Sequence, residues 1–148
     1  MIIKEITWNQ IHFIWENCLW PDRQSEITPW SAMLIDGRFD NANGGYPILF
    51  IGAYDGKKLI GVNSGHQCMD GSFRSRGLYV FPEFRKRGTA SLLLKTTVDR
   101  GKLLGCPFIW SYPRKSSWPA YAKCGFQLIS DWATSETSEL NALCKLEY

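Results

Sequence analysis

The fold is decided by the stretch Leu78-Tyr79-Val80-Phe81-Pro82-Glu83-Phe84-Arg85-Lys86-Arg87-Gly88-Thr89-Ala90 and the residues that follow it up to Leu104. An apolar run ends at a proline, and a basic turn with one glycine comes next. Beyond the turn, small and apolar side chains recur at spacings of three and four, which places them on one face of a helix. These are Ala90, Leu93, Leu94, Thr97, Gly101 and Leu104. The order is therefore strand, loop and helix, and the helix start would offer free backbone N–H groups to a phosphate or pyrophosphate.

Length and composition predict one domain over residues 1–148, because 45% hydrophobic and 21% charged side chains are typical of an ordinary globular chain. A net charge of +3 is too small to indicate nucleic-acid binding. The first residues lack a signal peptide, and no apolar run approaches the roughly 20 residues of a membrane span. We expect a cytoplasmic protein without membrane contact. Because the 5 cysteines form no Cys-x-x-Cys pair and the 2 histidines lie far apart, no metal site is expected.

The chain before this stretch predicts a strand, a helix and an irregular segment. A first strand covers residues 1–7, and Thr7 with Gln10 fits a capping box for the helix that follows. That helix carries an apolar stripe and ends at Trp20-Pro21. Thr28-Pro29 fits the start of a second, short helix over residues 30–35.

An antiparallel meander is predicted next. Residues 40–45 form a loop by composition. Strands over residues 48–54 and 57–63 are joined by the hairpin signal Asp55-Gly56. A third strand over residues 73–81 leads into the basic turn.

The chain after the helix completes a parallel β-α-β unit. A strand over residues 108–112 is expected beside the strand at Leu78–Val80. Ser116-Ser117-Trp118-Pro119 fits the start of a short helix, and Gly125 fits its left-handed end. Two closing antiparallel strands are expected over residues 126–132 and 140–148, with an exposed connection over residues 134–138.

Two motifs together resemble the GNAT superfamily of acyl-CoA N-acyltransferases. Val80 to Ala90 looks like the family's motif A, whose loop reads Arg or Gln, two residues, Gly, one residue, Gly or Ala. Tyr121-Ala122-Lys123-Cys124-Gly125-Phe126 is similar to the family's ending of tyrosine, three residues and Gly-Phe. The resemblance implies an α/β fold with a mixed, mostly antiparallel sheet of about seven strands, helices on both faces and a V-shaped opening around Val80. It implies direct transfer of an acetyl group from acetyl-CoA to a primary amine, without a metal.

The resemblance also implies which residues hold the cofactor. Backbone N–H groups at the helix start would bind the pyrophosphate, and basic side chains of the turn would add positive charge. The pantetheine arm would lie along the strand before the turn. Many relatives carry asparagine where this chain has Arg114, so a serine hydroxyl is a candidate to replace it. The expected cofactor-binding residues are Leu78, Tyr79, Val80, Arg85, Lys86, Arg87, Gly88, Thr89, Ala90, Ser117 and Tyr121.

Three residues are expected to act in catalysis. A backbone N–H of Val80 would stabilise the thioester oxygen, and Tyr121 would protonate the departing sulfur. The strand before the turn has no carboxylate to act as a base. His66 is therefore the first candidate and Asp70 the second. A water chain to solvent is an equal alternative, and a purely structural histidine also remains open.

The acceptor is the least defined part of this prediction. Arg74 and Arg76 lie on one face of their strand, which favours an acidic acceptor if that face lines the site. The alternative favoured here is exposure to solvent. We expect a small-molecule amine, with a protein amino group as an alternative, and a monomer or homodimer. The rivals are a non-catalytic CoA-binding sensor or partner-binding module and, more distantly, a nucleic-acid binder.

Overall fold

The computed structural model describes residues 1–41, 45–135, 137 and 139–148. Seven strands and three α-helices follow one another along the chain. They are β1 (Ile2–Glu5), α1 (Trp8–Ile14, continued by a π-helical turn at Trp15–Leu19), β2 (Ile48–Asp55), β3 (Lys58–Gln67), β4 (Phe73–Val80), α2 (Thr89–Leu103), β5 (Phe108–Ser111), α3 (Trp118–Lys123), β6 (Gln127–Leu128) and β7 (Cys144–Glu147).

The strands form one mixed sheet in the order β1-β2-β3-β4-β5-β7-β6. Neighbouring strands are antiparallel except β4 and β5, which are parallel. Helix α1 packs on one face around Trp15 and Val62. Helices α2 and α3 pack on the other face, where Leu93, Ile109 and Tyr121 belong to one core. The predicted fold class is confirmed. None of the described helices has the length and apolar character needed to cross a membrane.

The capping box at α1 is present. The backbone N–H of Gln10 donates to Thr7 Oγ1 at 3.2 Å, and the backbone N–H of Thr7 donates to Gln10 Oε1 at 2.8 Å. This reciprocal pair satisfies two donors that the first helical turn leaves free. It fixes the direction in which α1 brings Trp15 onto the sheet.

Strand β4 contains a bulge that changes which side chains face α1. Asn63 of β3 lies opposite both Gly77 and Leu78, and Gly77 has φ +79°. The extra residue reverses the alternation of the strand. Arg76 therefore lies on the α1 face although Leu78, two residues later, packs in the core on the α2 face.

The strands β4 and β5 pair over a short distance and then separate. Their register covers only Phe73 with Ile109 and Arg74 with Trp110. Ser111 Oγ still donates to Ser75 O at 2.6 Å. Beyond that contact the second half of β4 has no strand beside it on this edge in the described part of the chain. The opening lies where it was predicted, but β5 pairs with the start of β4 rather than with Leu78–Val80.

Two predictions about helices are wrong. No helix forms over residues 30–35; Thr28 Oγ1 donates to Trp30 O, and Met33 pairs with Phe39 in an isolated bridge. Leu104 was predicted to lie on the apolar face of the helix. It follows the end of α2 instead and is 49% exposed.

The predicted loops and closing strands are only partly described. Both closing strands are shorter than predicted, as β6 and β7 cover two and four residues. In the predicted loop at 40–45, residues 42–44 lie outside the described part. Residues 136 and 138 of the predicted connection at 134–138 also lie outside it.

Candidate active site

A groove of about 480 Å³ opens on the α2 face of the sheet, between the end of β4, the start of α2 and helix α3. We call it the α2 groove. Nine of the eleven predicted cofactor residues line it: Leu78, Tyr79, Val80, Arg85, Lys86, Gly88, Thr89, Ala90 and Ser117. Sequence reasoning did not assign Ser91 and Lys123, which line it as well. The helical spacing of Lys123 was a signal that could have indicated it, since it lies four residues after Pro119 and three after Ala120, which line the groove too.

The start of α2 presents backbone N–H groups and a hydroxyl that have no hydrogen-bond partner in the described part of the chain. Gly88 occupies the N-cap position at φ +82° and provides no side-chain acceptor. The first intrahelical bond is from Leu92 N to Gly88 O, so the N–H groups of the first turn point into the groove without helical partners. Thr89 is 2% exposed, and its Oγ1 has no hydrogen-bond partner among the described residues. A buried hydroxyl without a partner is costly, and a bound anion would satisfy it.

The three basic residues of the turn, Arg85, Lys86 and Arg87, differ in their contacts and backbone conformation. Arg85 Nε donates to Val80 O at 2.8 Å, which holds this guanidinium against the strand. Lys86 has φ +63°, a left-handed conformation that is unusual for a residue with a Cβ. Arg87 stacks over the ring of Phe84 at 5.2 Å and, although predicted to bind the cofactor, does not line the groove.

A second cavity of about 400 Å³ lies on the α1 side, around the first half of β4. We call it the arginine cavity, because Arg23, Arg74, Arg76 and Arg114 all line it. Arg74 and Arg76 are 7% and 5% exposed, so the favoured prediction of solvent exposure is wrong. Among the described residues, the cavity lining contains no aspartate or glutamate.

The two cavities share three lining residues: Leu78, Arg114 and Ser117. They therefore adjoin at the gap between β4 and β5. Arg114 is held there by an ion pair with Glu139 at 3.2 Å and by a hydrogen bond to Leu19 O at 3.1 Å. The α2 groove and the cationic cavity therefore lie side by side at this gap.

The backbone of β4 points two N–H groups into this gap. Phe81 N donates to Ile60 O at 3.0 Å, so Phe81 is bonded to β3. Because backbone groups alternate along an antiparallel pair, Tyr79 also faces β3, and Leu78 and Val80 face the gap. The carbonyl of Val80 is held by Arg85. Of these two residues, only Leu78 lines both cavities.

Tyr121 lies at the bottom of the gap, in the lining of the arginine cavity rather than the α2 groove. Its hydroxyl is 3.0 Å from Ser75 Oγ on β4 and 3.0 Å from Ser111 Oγ on β5. Asn63 Nδ2 donates to the same Ser75 Oγ at 3.0 Å. Burial raises the pKa of Tyr121 to about 12, so the phenol keeps its proton at neutral pH.

His66 lines neither cavity, although its partner Ser31 lines the arginine cavity. Its Nε2 accepts a hydrogen bond from Ser31 N at 3.3 Å, so Nδ1 carries the proton and donates to Gln67 O at 3.0 Å. Burial is the main cause that lowers the pKa of His66 to about 4. Both ring nitrogens are thus engaged in a neutral ring. Asp70, the second candidate base, accepts from Ser72 N at 3.0 Å and from Ser72 Oγ at 2.6 Å within its turn.

A family model described as the acetyltransferase (GNAT) family matches residues 8–126. The chain belongs to the GNAT acetyltransferase family. The matched range includes α1, β4, the basic turn, α2 and Tyr121, and thus both motifs that carried the resemblance. No curated protein matches the sequence.

Solved GNAT structures share this fold at low sequence identity. The PaiA N-acetyltransferase of Thermoplasma acidophilum was solved with coenzyme A and has a TM-score of 0.58 and 20% sequence identity. The match covers 72% of this chain and 65% of that protein. The IAA acetyltransferase of Bacillus cereus has a TM-score of 0.61 and 19% identity over 68% of this chain and 78% of that one. The ribosomal-protein-S18-alanine N-acetyltransferase of Escherichia coli has a TM-score of 0.63 and 14% identity over 99% of this chain and 92% of that one.

Proposed function

We propose that this GNAT protein is an acetyl-CoA-dependent N-acetyltransferase that moves the acetyl group directly to a primary amine on a small molecule. The observation that carries the proposal is the gap between β4 and β5, where the α2 groove and the arginine cavity adjoin beside the N–H of Leu78. A donor and an acceptor can reach the same point from opposite faces of the sheet. A cavity of about 400 Å³ is within the range of small-molecule sites.

The α2 groove fits coenzyme A. The N–H groups of the first turn of α2 and the hydroxyl of Thr89 would hold the pyrophosphate, with positive charge from Arg85, Lys86 and Lys123. The relative from Thermoplasma acidophilum was solved with coenzyme A, which supports this assignment. Acetyl-CoA supplies the acetyl group as a thioester. Val80 and Leu78 would lie along the pantetheine arm through the backbone groups that face the gap.

Leu78 is the residue we assign to the thioester oxygen. Leu78 lines both cavities, whereas Val80, the residue first predicted for this role, lines the α2 groove alone. A fixed backbone donor stabilises the negative charge that develops on the carbonyl oxygen as the amine forms its bond to carbon and the carbon–sulfur bond breaks. Removing one such donor typically costs about 100- to 1,000-fold in kcat.

Tyr121 is assigned as a hydrogen-bond donor to the sulfur. A thiol has an ordinary pKa near 8.5, and the phenol of Tyr121 has a pKa of about 12. Complete proton transfer from the phenol to the thiolate would therefore be uphill by about 5 kcal/mol. A hydrogen bond stabilises the departing sulfur without that cost once the phenol O–H turns from Ser111 Oγ to the sulfur, and the thiolate then takes its proton from solvent.

Water is assigned as the acceptor of the amine's proton. His66 is neutral and bonded at both nitrogens, so we assign it a structural role in place of the predicted base. Since the described lining of the arginine cavity holds no histidine or carboxylate, the amine must enter in its uncharged form or lose its proton to water. The rate should then rise with pH toward the pKa of the acceptor amine.

Calorimetric titration with acetyl-CoA, followed by thiol-release assays on a panel of amines, tests this function. We expect binding of acetyl-CoA and release of one thiol for each amine acetylated. Failure to bind acetyl-CoA would overturn the proposal. Binding without turnover on any amine would favour the non-catalytic CoA-binding module. Acetylation of peptides with small amines ignored would overturn the small-molecule assignment.

A further inference from the structure

The arginine cavity contains two buried cations on adjacent positions of one strand face. Arg74 and Arg76 are each less than one-tenth exposed. Arg74 stacks on the ring of Trp110 at 4.6 Å, and Arg76 stacks on Trp15 at 4.9 Å and on Trp20 at 5.3 Å. Aromatic faces orient the guanidinium planes and restrict their rotamers. The two charges are therefore held in place before any ligand arrives.

These cations have neutral hydrogen-bond partners. Arg76 donates to Thr28 O at 2.7 Å and Arg74 donates to Ser31 Oγ. Within the described ranges, neither guanidinium forms an ion pair with a carboxylate, and the Nε of Arg74 has no hydrogen-bond partner. Each guanidinium carries five N–H donors. Most of the donor capacity of this pair is thus available to a ligand in the cavity.

Burial opposes the ionised form of both residues. Burial is the main cause that lowers the pKa of Arg74 to about 10, and burial followed by repulsion from Arg74 lowers the pKa of Arg76. An anion placed between them would reverse both effects, because an opposite charge favours the charged form. The pair is therefore more favourable with an anionic ligand than without one.

The position of the pair along β4 links it to the transfer point. Arg76 lies two residues before Leu78, on the other side of the bulge at Gly77. Both residues line the arginine cavity. A single small molecule can therefore contact the guanidinium groups with one end and present an amine beside the N–H of Leu78 with the other.

We propose, building on the N-acetyltransferase function above, that the acceptor is a small amine that also carries a carboxylate, and that Arg74 and Arg76 bind this carboxylate. Planar guanidinium groups match a carboxylate through paired N–H···O bonds. An amine lacking the carboxylate would leave the two cations buried and uncompensated. The pair therefore selects the acceptor, and the α2 groove selects the donor.

Matched substrates test the proposal in the wild-type protein. Amino acids are each compared with their carboxamide and with the amine that lacks the carboxyl group, by thiol release at saturating acetyl-CoA. We expect kcat/KM for the acids to exceed that of their neutral counterparts by at least about 30-fold, as for loss of one partner of a buried charge pair. Equal kcat/KM for acids and amides would overturn the inference and leave the N-acetyltransferase function intact.

Charge-removing variants assign the effect to the pair. Arg76→Gln keeps a donor for Thr28 O, and Arg74→Gln keeps one for Ser31. Each should raise KM for the acids by about 30-fold. The ratio of kcat/KM for acids to that for amides should fall toward one, and the Kd of acetyl-CoA should be unchanged. Arg100→Gln is the matched control, because Arg100 pairs with Glu5 at 3.6 Å outside both cavities. The Arg100→Gln variant should keep the wild-type ratio of kcat/KM for acids to that for amides.

The remaining outcomes are also decisive. Preference for phosphate-bearing amines over carboxylates would overturn the assignment of the anion. Wild-type ratios in both glutamine variants would overturn the role of the arginines. If either variant fails to fold, as judged by circular dichroism, the other variant and the wild-type comparison still decide. No turnover on any amine would overturn the N-acetyltransferase function, and the acceptor inference would fall with it.

Discussion

Replacing Gly77 by alanine should strongly destabilise the protein, because this residue has both a left-handed backbone and no room for a side chain. Its φ is +79°. A Cβ at this position would lie well inside van der Waals distance of the Cε2, Cζ2 and Nε1 atoms of Trp15. The indole cannot easily move away, since Trp15 is fully buried and its Nε1 donates to Gly77 O at 2.8 Å.

The expected loss of unfolding free energy is about 3–6 kcal/mol. A left-handed conformation costs a residue with a Cβ about 1–2 kcal/mol. Overpacking a core site costs about 1–3 kcal/mol, and disturbing the bond from Trp15 about 0.5–1.5 kcal/mol more. Since typical domains are stable by about 5–15 kcal/mol, a loss of this size would remove a large share of the stability. Activity should fall as well, because the bulge sets the direction of the Leu78 N–H.

Gly105→Ala is the matched control for urea unfolding. Gly105 has φ +77°, but a Cβ there would meet nothing within 4 Å. Its replacement should cost only the backbone term of about 1–2 kcal/mol. In a double variant with Trp15→Phe, the cost of Gly77→Ala should fall toward the control value, since the smaller ring lacks the overlapping atoms. Equal urea midpoints for Gly77→Ala and Gly105→Ala would refute the reasoning.

Three further predictions follow from buried polar groups. Thr89→Val removes a hydroxyl without a protein partner, so we expect acetyl-CoA binding to weaken by about 10- to 100-fold in calorimetry with no loss of stability; an unchanged Kd would remove Thr89 from the pyrophosphate site. Tyr121→Phe should lower kcat by about 10- to 100-fold while the Kd of acetyl-CoA is kept, and an unchanged kcat would contradict the hydrogen bond to sulfur. His66 has its pKa lowered from 6.5 to about 4 in the folded protein, so the unfolded chain binds the proton first and stability should fall by about 3 kcal/mol as pH drops from 6.5 to 4. Urea unfolding across this range should show a flatter dependence for His66→Gln, and equal slopes would show that another group is responsible.

Local signals in the sequence were sufficient for the parallel unit of the fold. The turn before α2 was predictable because Gly88 precedes a long stripe with helical spacing, and Gly125 ends α3 at φ +97° as expected. The short helix predicted at Thr28-Pro29 failed for a reason that the sequence does not contain. Arg76 of β4 binds Thr28 O and holds this segment irregular on the sheet. A tertiary contact across 48 residues overrode a local capping signal.

Sequence patterns indicated most of the predicted residues that line the α2 groove, and they did not indicate the arginine cavity. The spacing of Arg74 and Arg76 showed that they share a strand face, but burial of that face depends on the irregular segment around Trp20 and Ser31, which has no regular pattern to read. The bulge was missed although Gly77 within a strand was a usable signal. Val80 was assigned to the thioester from the family resemblance. Without the bulge, the alternation would place Leu78 on the arginine side.

The bulge at Gly77 also affects how the acceptor preference of this protein can change. Arg74 and Arg76 before it line the arginine cavity, and Leu78 and Val80 after it line the α2 groove. The irregular residue between them uncouples the two alternations. Exchanging positions 74 and 76 should therefore alter the accepted amine while the pantetheine-binding backbone at 78–80 stays in register. Strand β4 can be engineered as two independent segments, with acceptor specificity changed in one and cofactor affinity retained in the other.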